Sequence, residues 1–174
     1  MRLFSTILKV FQISLLKRRD ESTGQVSTTG QTLTSVVRRL LPVLRVYSTW
    51  LTKSSALANS DFVRNELKAD FWTALAQALS AMTANFSTDQ LPNVDHLLEE
   101  DEETVKFLPL CSSEDNSIWY LGGSLRTKWH ETTQQDRDVS KEVLFRIKDF
   151  LGVGLTLAVE SVSWTGSTIG HADD

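Results

Sequence analysis

A chain of 174 residues with an apolar share of 41% can form one domain with a real core, leaving part of its length as loop. A single cysteine, Cys111, excludes an internal disulfide and cannot build a metal site by itself. The net charge of −4 conceals an asymmetry: residues 1–55 hold nine Lys and Arg against two Asp and Glu, a balance of +7, and residues 56–174 hold nine against twenty, a balance of −11.

Residues 3–18 read as a first helix, with Leu3, Phe4, Ile7, Leu8, Phe11, Leu15 and Leu16 at helical spacing. No acidic residue occurs before Asp20, so residues 1–19 could read as a mitochondrial presequence; the favoured alternative is an amphipathic helix that continues from something upstream. No run of 18 apolar residues exists, so no transmembrane helix and no membrane partner are expected. Residues 19–32 are a polar linker broken by Gly24 and Gly30, after which Thr32 or Thr34 caps the next helix. That helix runs to about Ser55 and is apolar on most sides, as in the centre of a bundle. Pro42 should kink it or mark its true start, and Arg38, Arg39, Arg45 and Lys53 are left to reach solvent.

Ser60 or Asp61 opens a third helix to about Asn85, with Val63, Leu67, Phe71, Leu75, Ala78 and Met82 along one side. These two helices read as an antiparallel hairpin. From residue 87 to about 137 the pattern disappears. An acidic run, Glu99 to Glu103, is expected in water, while Phe107, Leu108, Leu110 and Ile118 to Leu121 anchor the excursion to the core. Ile118-Trp119-Tyr120-Leu121 reads as a short strand-like piece. The last helix starts at Asp138 or Ser140 and runs to about Ser161. Its apolar side is read as Val143, Ile147, Phe150, Leu151, Leu155, Ala158, Val159 and Val162, and a disordered tail follows Trp164. The expected fold is all-α: antiparallel helical hairpins with an additional C-terminal helix and a long irregular excursion. The expected divisions are an N-terminal helix and linker (1–31), a hairpin domain (32–163) and a tail (164–174).

The chain offers little for catalysis. His96, His130 and His171 match no metal-ligand spacing with Cys111, and no Gly-x-Ser-x-Gly elbow occurs. Gly152-Val153-Gly154 lacks the third glycine or lysine of a phosphate loop. No catalytic residue, metal or cofactor is expected. Arg38, Arg39 and Arg45, with Tyr47 and Trp50 nearby, place cations and aromatics on one segment, as single-strand binders do. The competing reading puts Tyr47 and Trp50 in the core. Lys17-Arg18-Arg19 is a second basic site of the same ambiguity.

Three segments carry a family resemblance. Leu40-Leu41-Pro42-Val43-Leu44-Arg45-Val46-Tyr47-Ser48-Thr49-Trp50-Leu51 fits a helix of the pattern "LLP-x-L-x-x-Y/F-x-x-W-L". Leu98 through Leu110 fits an acidic linker of the pattern "L-x-E-D-x-x-x-x-G/K-F-x-P-L". Lys141 through Phe150 resembles a final helix of the pattern "E-x-L-x-R-I-R/K-D-x-L". Together they resemble the helical domain of Ever-Shorter-Telomeres proteins and Smg-type nonsense-mediated mRNA decay factors, with fungal-type members nearest. The resemblance implies a non-enzymatic scaffold or adaptor in nonsense-mediated mRNA decay or telomere maintenance. Its implied partners are decay or telomerase proteins and single-stranded RNA or telomeric DNA. The alternative is a protein-binding module without nucleic acid. On this reading Arg38, Arg39 and Arg45 meet the nucleic acid. Trp50 and Trp72 hold the core, and Phe107 with Pro109 locks the excursion onto it.

Overall fold

The computed structural model describes residues 2–21, 33–53, 65–104, 120–121, 124–133 and 137–167. Five α-helices make up most of them: α1 (Arg2–Glu21), α2 (Ser35–Lys53), α3 (Asn65–Asn85), the short α4 (Glu99–Thr104) and α5 (Val139–Ser167). Two short strands, β1 (Tyr120–Leu121) and β2 (Ser124–Leu125), pair antiparallel. The chain adopts the all-α class that its periodicity implies.

Each long helix buries one stripe of its apolar residues. α1 turns Phe4, Leu8, Phe11 and Leu15 into the core, one residue per turn. α2 begins where Thr34 Oγ1 accepts the Val37 N–H at 3.3 Å, and it runs through Pro42 without interruption. Its core residues are Val37, Leu41, Leu44 and Leu51. α3 supplies Phe71, Ala74, Leu75, Ala78 and Met82. At the start of α5, Asp138 Oδ1 accepts the Ser140 and Lys141 N–H groups at 2.9 and 3.2 Å, satisfying two donors that no helix turn can reach.

The four long helices close into a ring. α1 packs against α3 and α2, α5 packs against α2 and α3, and Phe11 of α1 meets Phe150 of α5 edge-on across the centre at 6.3 Å. α2 and α3, consecutive in sequence and read there as a hairpin, are therefore not each other's principal partners. α1 and α5 lie between them. Residues 2–21, placed before the hairpin domain by the sequence reading, share one core with the helices that follow.

Two boundaries differ from expectation. On α5, Leu155 and Val159 are 52% and 71% exposed while Leu157 is buried, so the inward stripe rotates away from the expected one. The inward stripe passes through Gly154 instead: a Cβ there would stand 2.5 Å from Leu79 Cδ2, so α5 meets α3 through a glycine. α5 also continues to Ser167, past the point where a disordered tail is expected.

The excursion is more ordered at its start than the sequence suggests. Leu91, Val94, Leu97 and Leu98 are buried. The Leu97 N–H donates to the Thr127 carbonyl at 2.8 Å, and His96 bridges Thr127 in parallel, so the outgoing and returning arms run side by side. Tyr120–Leu121 of the expected strand-like piece form β1. The remaining expected anchors, Phe107, Leu108, Leu110, Ile118 and Trp119, and the structural Pro109, lie outside the described residues.

Candidate nucleic-acid interface and the buried charge network

The acidic run folds as α4, and a helix sends consecutive residues in different directions. Glu99 and Glu103, four apart, face solvent as expected. Glu100 and Asp101 do not: they are 7% and 6% exposed, buried against α2 and α5. The expectation of a uniformly solvated run is corrected here, because arginines of both helices supply the opposite charge.

Arg45 of α2 is the hub. Its Nη1 donates to Asp101 Oδ1 at 2.5 Å and lies 3.4 Å from Glu100 Oε1, while its Nε donates to Asp149 of α5. Arg146 of α5 grips Glu100 with two parallel bonds, Nε to Oε1 and Nη2 to Oε2, both 2.8 Å. Asp101 Oδ2 also accepts the Leu98 N–H at 3.0 Å, so this side chain caps the helix it belongs to. Glu142 extends the network: Arg137 Nε stands 3.3 Å and His96 Nε2 3.1 Å from its Oε1. The Phe145 ring lies under two guanidiniums, Arg45 at 5.9 Å and Arg126 at 5.7 Å. Farther along the returning arm, Arg137 covers the Trp129 ring at 4.1 Å, and His130 Nδ1 meets Glu102 Oε2 at 2.8 Å.

Titration follows from these contacts. Burial by itself would lower the Arg45 guanidinium, but Asp101 and Asp149 hold it well above the ordinary arginine value. Burial would raise the Glu100 carboxyl, yet the bonds and charge of Arg146, joined by Arg45, hold it below the usual glutamate range. Arg126 is lowered by burial, and the nearby Arg45 charge adds to the effect.

The residues expected at a nucleic-acid surface separate. Arg45 is 6% exposed and faces three carboxylates, so its guanidinium serves the fold. Arg38 is half-buried, and Arg39 is exposed. Along α2, Val36, Arg39, Val43, Val46, Trp50 and Lys53 fall at steps of three and four and form the outward stripe. Val36 and Val43 are 43% and 47% exposed. Tyr47 turns inward, its ring 4.0 Å from that of Phe4, and burial raises its phenol above the ordinary value. Trp50 and Trp72 are partly buried and pack on the core rim, Trp50 at 5.2 Å from Tyr47 and Trp72 at 4.9 Å from Phe71. The side chains of Lys17, Arg18 and Arg19 lie outside those described.

The sequence reading missed the network, although the signal was present. Glu100 and Asp101 are the fixed acidic positions of the linker pattern, and Glu142, Arg146 and Asp149 are fixed charged positions of the final-helix pattern. All five converge on Arg45 or on one another. A charged residue held at a set place in a motif is a partner to be found, whatever its neighbours look like. Among the described residues no helix is long and apolar enough to cross a membrane.

Comparison with known proteins agrees with the helix and linker motifs, both within the matched span. Neither the curated proteins nor the solved structures contain a match. The model of the Est1 DNA/RNA binding domain, a nucleic-acid-binding rather than an enzyme family, matches residues 2–114. That span holds α1, α2, α3 and α4 with its acidic partners of Arg45. The chain belongs to the Est1 DNA/RNA binding domain family.

Proposed function

We propose that this chain is a non-enzymatic scaffold or adaptor in telomere maintenance or nonsense-mediated mRNA decay, and that it contacts single-stranded RNA or telomeric DNA. Its protein partners are decay or telomerase proteins, and its place is the nucleus and cytoplasm. The family match over residues 2–114 carries the reading. The positive balance of residues 1–55 and the outward stripe of α2 support its location, with Arg39 as the principal phosphate contact and Arg38 beside it. Trp50, partly buried, lies on that stripe as an aromatic beside the cations.

The test is binding of the purified protein to single-stranded RNA and telomeric DNA across a salt series. Affinity should fall steeply with salt, and Arg39→Glu should weaken binding and reduce the salt slope by about 1. No binding at about 50 mM salt removes the nucleic-acid role. Arg45→Glu is unsuitable for this purpose, since it would place a fourth carboxylate among Glu100, Asp101 and Asp149.

A second reading, a protein-binding module, is favoured by one observation. α1 presents Leu3, Val10, Ile13 and Leu16 outward at 75%, 43%, 52% and 43% exposure. It expects partner binding unaffected by Arg39→Glu.

A further inference from the structure

Only one side of α1 is spent on the core. On the opposite side Leu3, Thr6, Val10 and Ile13 are exposed and follow one another at alternating steps of three and four. That is the spacing by which one helix seats along another, here over about 15 Å. Thr6 gives its hydroxyl to the Arg2 carbonyl at 3.0 Å, so its polar group asks nothing of a neighbour. The seam is narrow. A bilayer takes a broad apolar face rich in aromatics, and both phenylalanines of α1, Phe4 and Phe11, are turned into the core. A partner helix suits the seam better.

The flanks fix the charge of that helix. Arg2 and Lys9 each stand one residue before a seam position, where neighbouring helices meet through their charges. Arg2 is exposed, and Lys9, which donates to Asp70 of α3 at 2.6 Å, keeps half of its side chain open. Residues 1–19 hold five cations and no carboxylate. A second copy of the chain is a poor occupant. Laid antiparallel, it would set Arg2 and Lys9 against the same two cations; laid parallel, it would set them against Ile7 and Ser14. Carboxylates beside the partner's apolar seam answer both flanks.

We infer that the outer face of α1 docks an amphipathic helix of a partner protein, its apolar seam flanked by Asp and Glu. The inference rests on the protein-binding reading above and supplies the chemistry of the partner.

The probes are two synthetic helical peptides of three heptads with leucine along the seam, one flanked by Glu and the other by Lys. They carry fluorescein and are read by anisotropy against the full chain, with a thermal melt of each protein. The acidic peptide should bind at least tenfold more tightly than the basic one, against the direction set by the chain's net charge of −4. Ile13→Ser and, separately, Leu3→Ser change exposed positions, should melt as the unaltered protein does, and should each weaken the acidic peptide at least tenfold. Arg2→Glu should narrow the preference between the peptides. Equal binding of both, weakened alike by the two serine variants, overturns the acidic partner and leaves the protein-binding reading standing. Binding that neither serine variant weakens places the contact away from α1 and overturns the inference. It falls too if neither peptide binds. A dimer in sedimentation that Ile13→Ser dissociates would then keep the protein-binding reading with a second copy as occupant, whereas binding to phosphatidylglycerol vesicles would end both.

Discussion

Removing the hub of the charge network gives the sharpest test of the structure. Arg45→Met keeps an unbranched apolar stem in place of the side chain's inner half but leaves Asp101, buried at 6% exposure, without its closest cation. It also strips Asp149 of its guanidinium partner, while Glu100 keeps both bonds from Arg146. One orphaned buried carboxylate is the main loss, and breaking a buried pair from one side costs about 3–5 kcal/mol. For a chain of this size each kcal/mol lowers the melting temperature by about 2–4 °C, so the fall should be about 6–20 °C. Circular dichroism at 222 nm during a thermal ramp reads it, with urea melts for the free energy. The companion variant, Arg45→Met with Asp101→Leu, removes both charges and should recover part of the loss, because an apolar replacement of a whole pair is often neutral. A melt of Arg45→Met within about 1 kcal/mol of the unaltered protein would refute the buried network, since surface changes stay within about 0.5 kcal/mol.

The Glu100 carboxyl should set part of the acid limb of stability. Its folded value lies below the ordinary 4.5, so its contribution is complete above the unfolded value and is lost as pH falls through the lowered folded one. Glu100→Gln should be less stable at neutral pH and show a shallower acid limb in urea melts; a limb identical to the unaltered protein counts against the pairing with Arg146. The two glycines of α5 should separate: Gly152→Ala raises stability by up to about 1 kcal/mol, whereas Gly154→Ala gives back that gain by pushing into Leu79. Equal or reversed effects in chemical denaturation would contradict the close approach of α3. Finally, Phe11→Ala, at the ring's centre, should cost about 3–5 kcal/mol, and Trp50→Ala, partly exposed at the rim, distinctly less.

Helix periodicity made α1, α2, α3 and the start of α5 legible, because each spends one side on the core and apolar residues therefore recur at threes and fours. Partner choice was not legible. The few residues between the two helices read from the sequence suggest a hairpin, but nothing in them reveals that α1 and α5 pack against α2 and α3 more extensively than these pack against each other. Periodicity also could not place Gly154 inward, since a glycine carries no hydropathy signal and its role depends on Leu79 of another helix. Of the arginines proposed for nucleic acid, Arg39 and Arg45 differ by six positions on one helix and face different environments. Charge alone cannot separate them. The separation comes from Glu100, Asp101 and Asp149, residues some 55 to 104 positions away in the chain.

The interleaved ring bears on how this chain reaches its folded state. α1 must wait for α3, and α2 finds its largest partner only when α5 has been made, so no two consecutive helices complete a unit of their own. During synthesis the side of α2 that meets α5 stays uncovered while more than eighty further residues emerge. The stretch that the family model matches, residues 2–114, ends before α5 begins. Cut out by itself, it would keep Glu100 and Asp101 but lack Arg146, and would carry an exposed apolar seam where α5 belongs. Such a piece is prone to self-association.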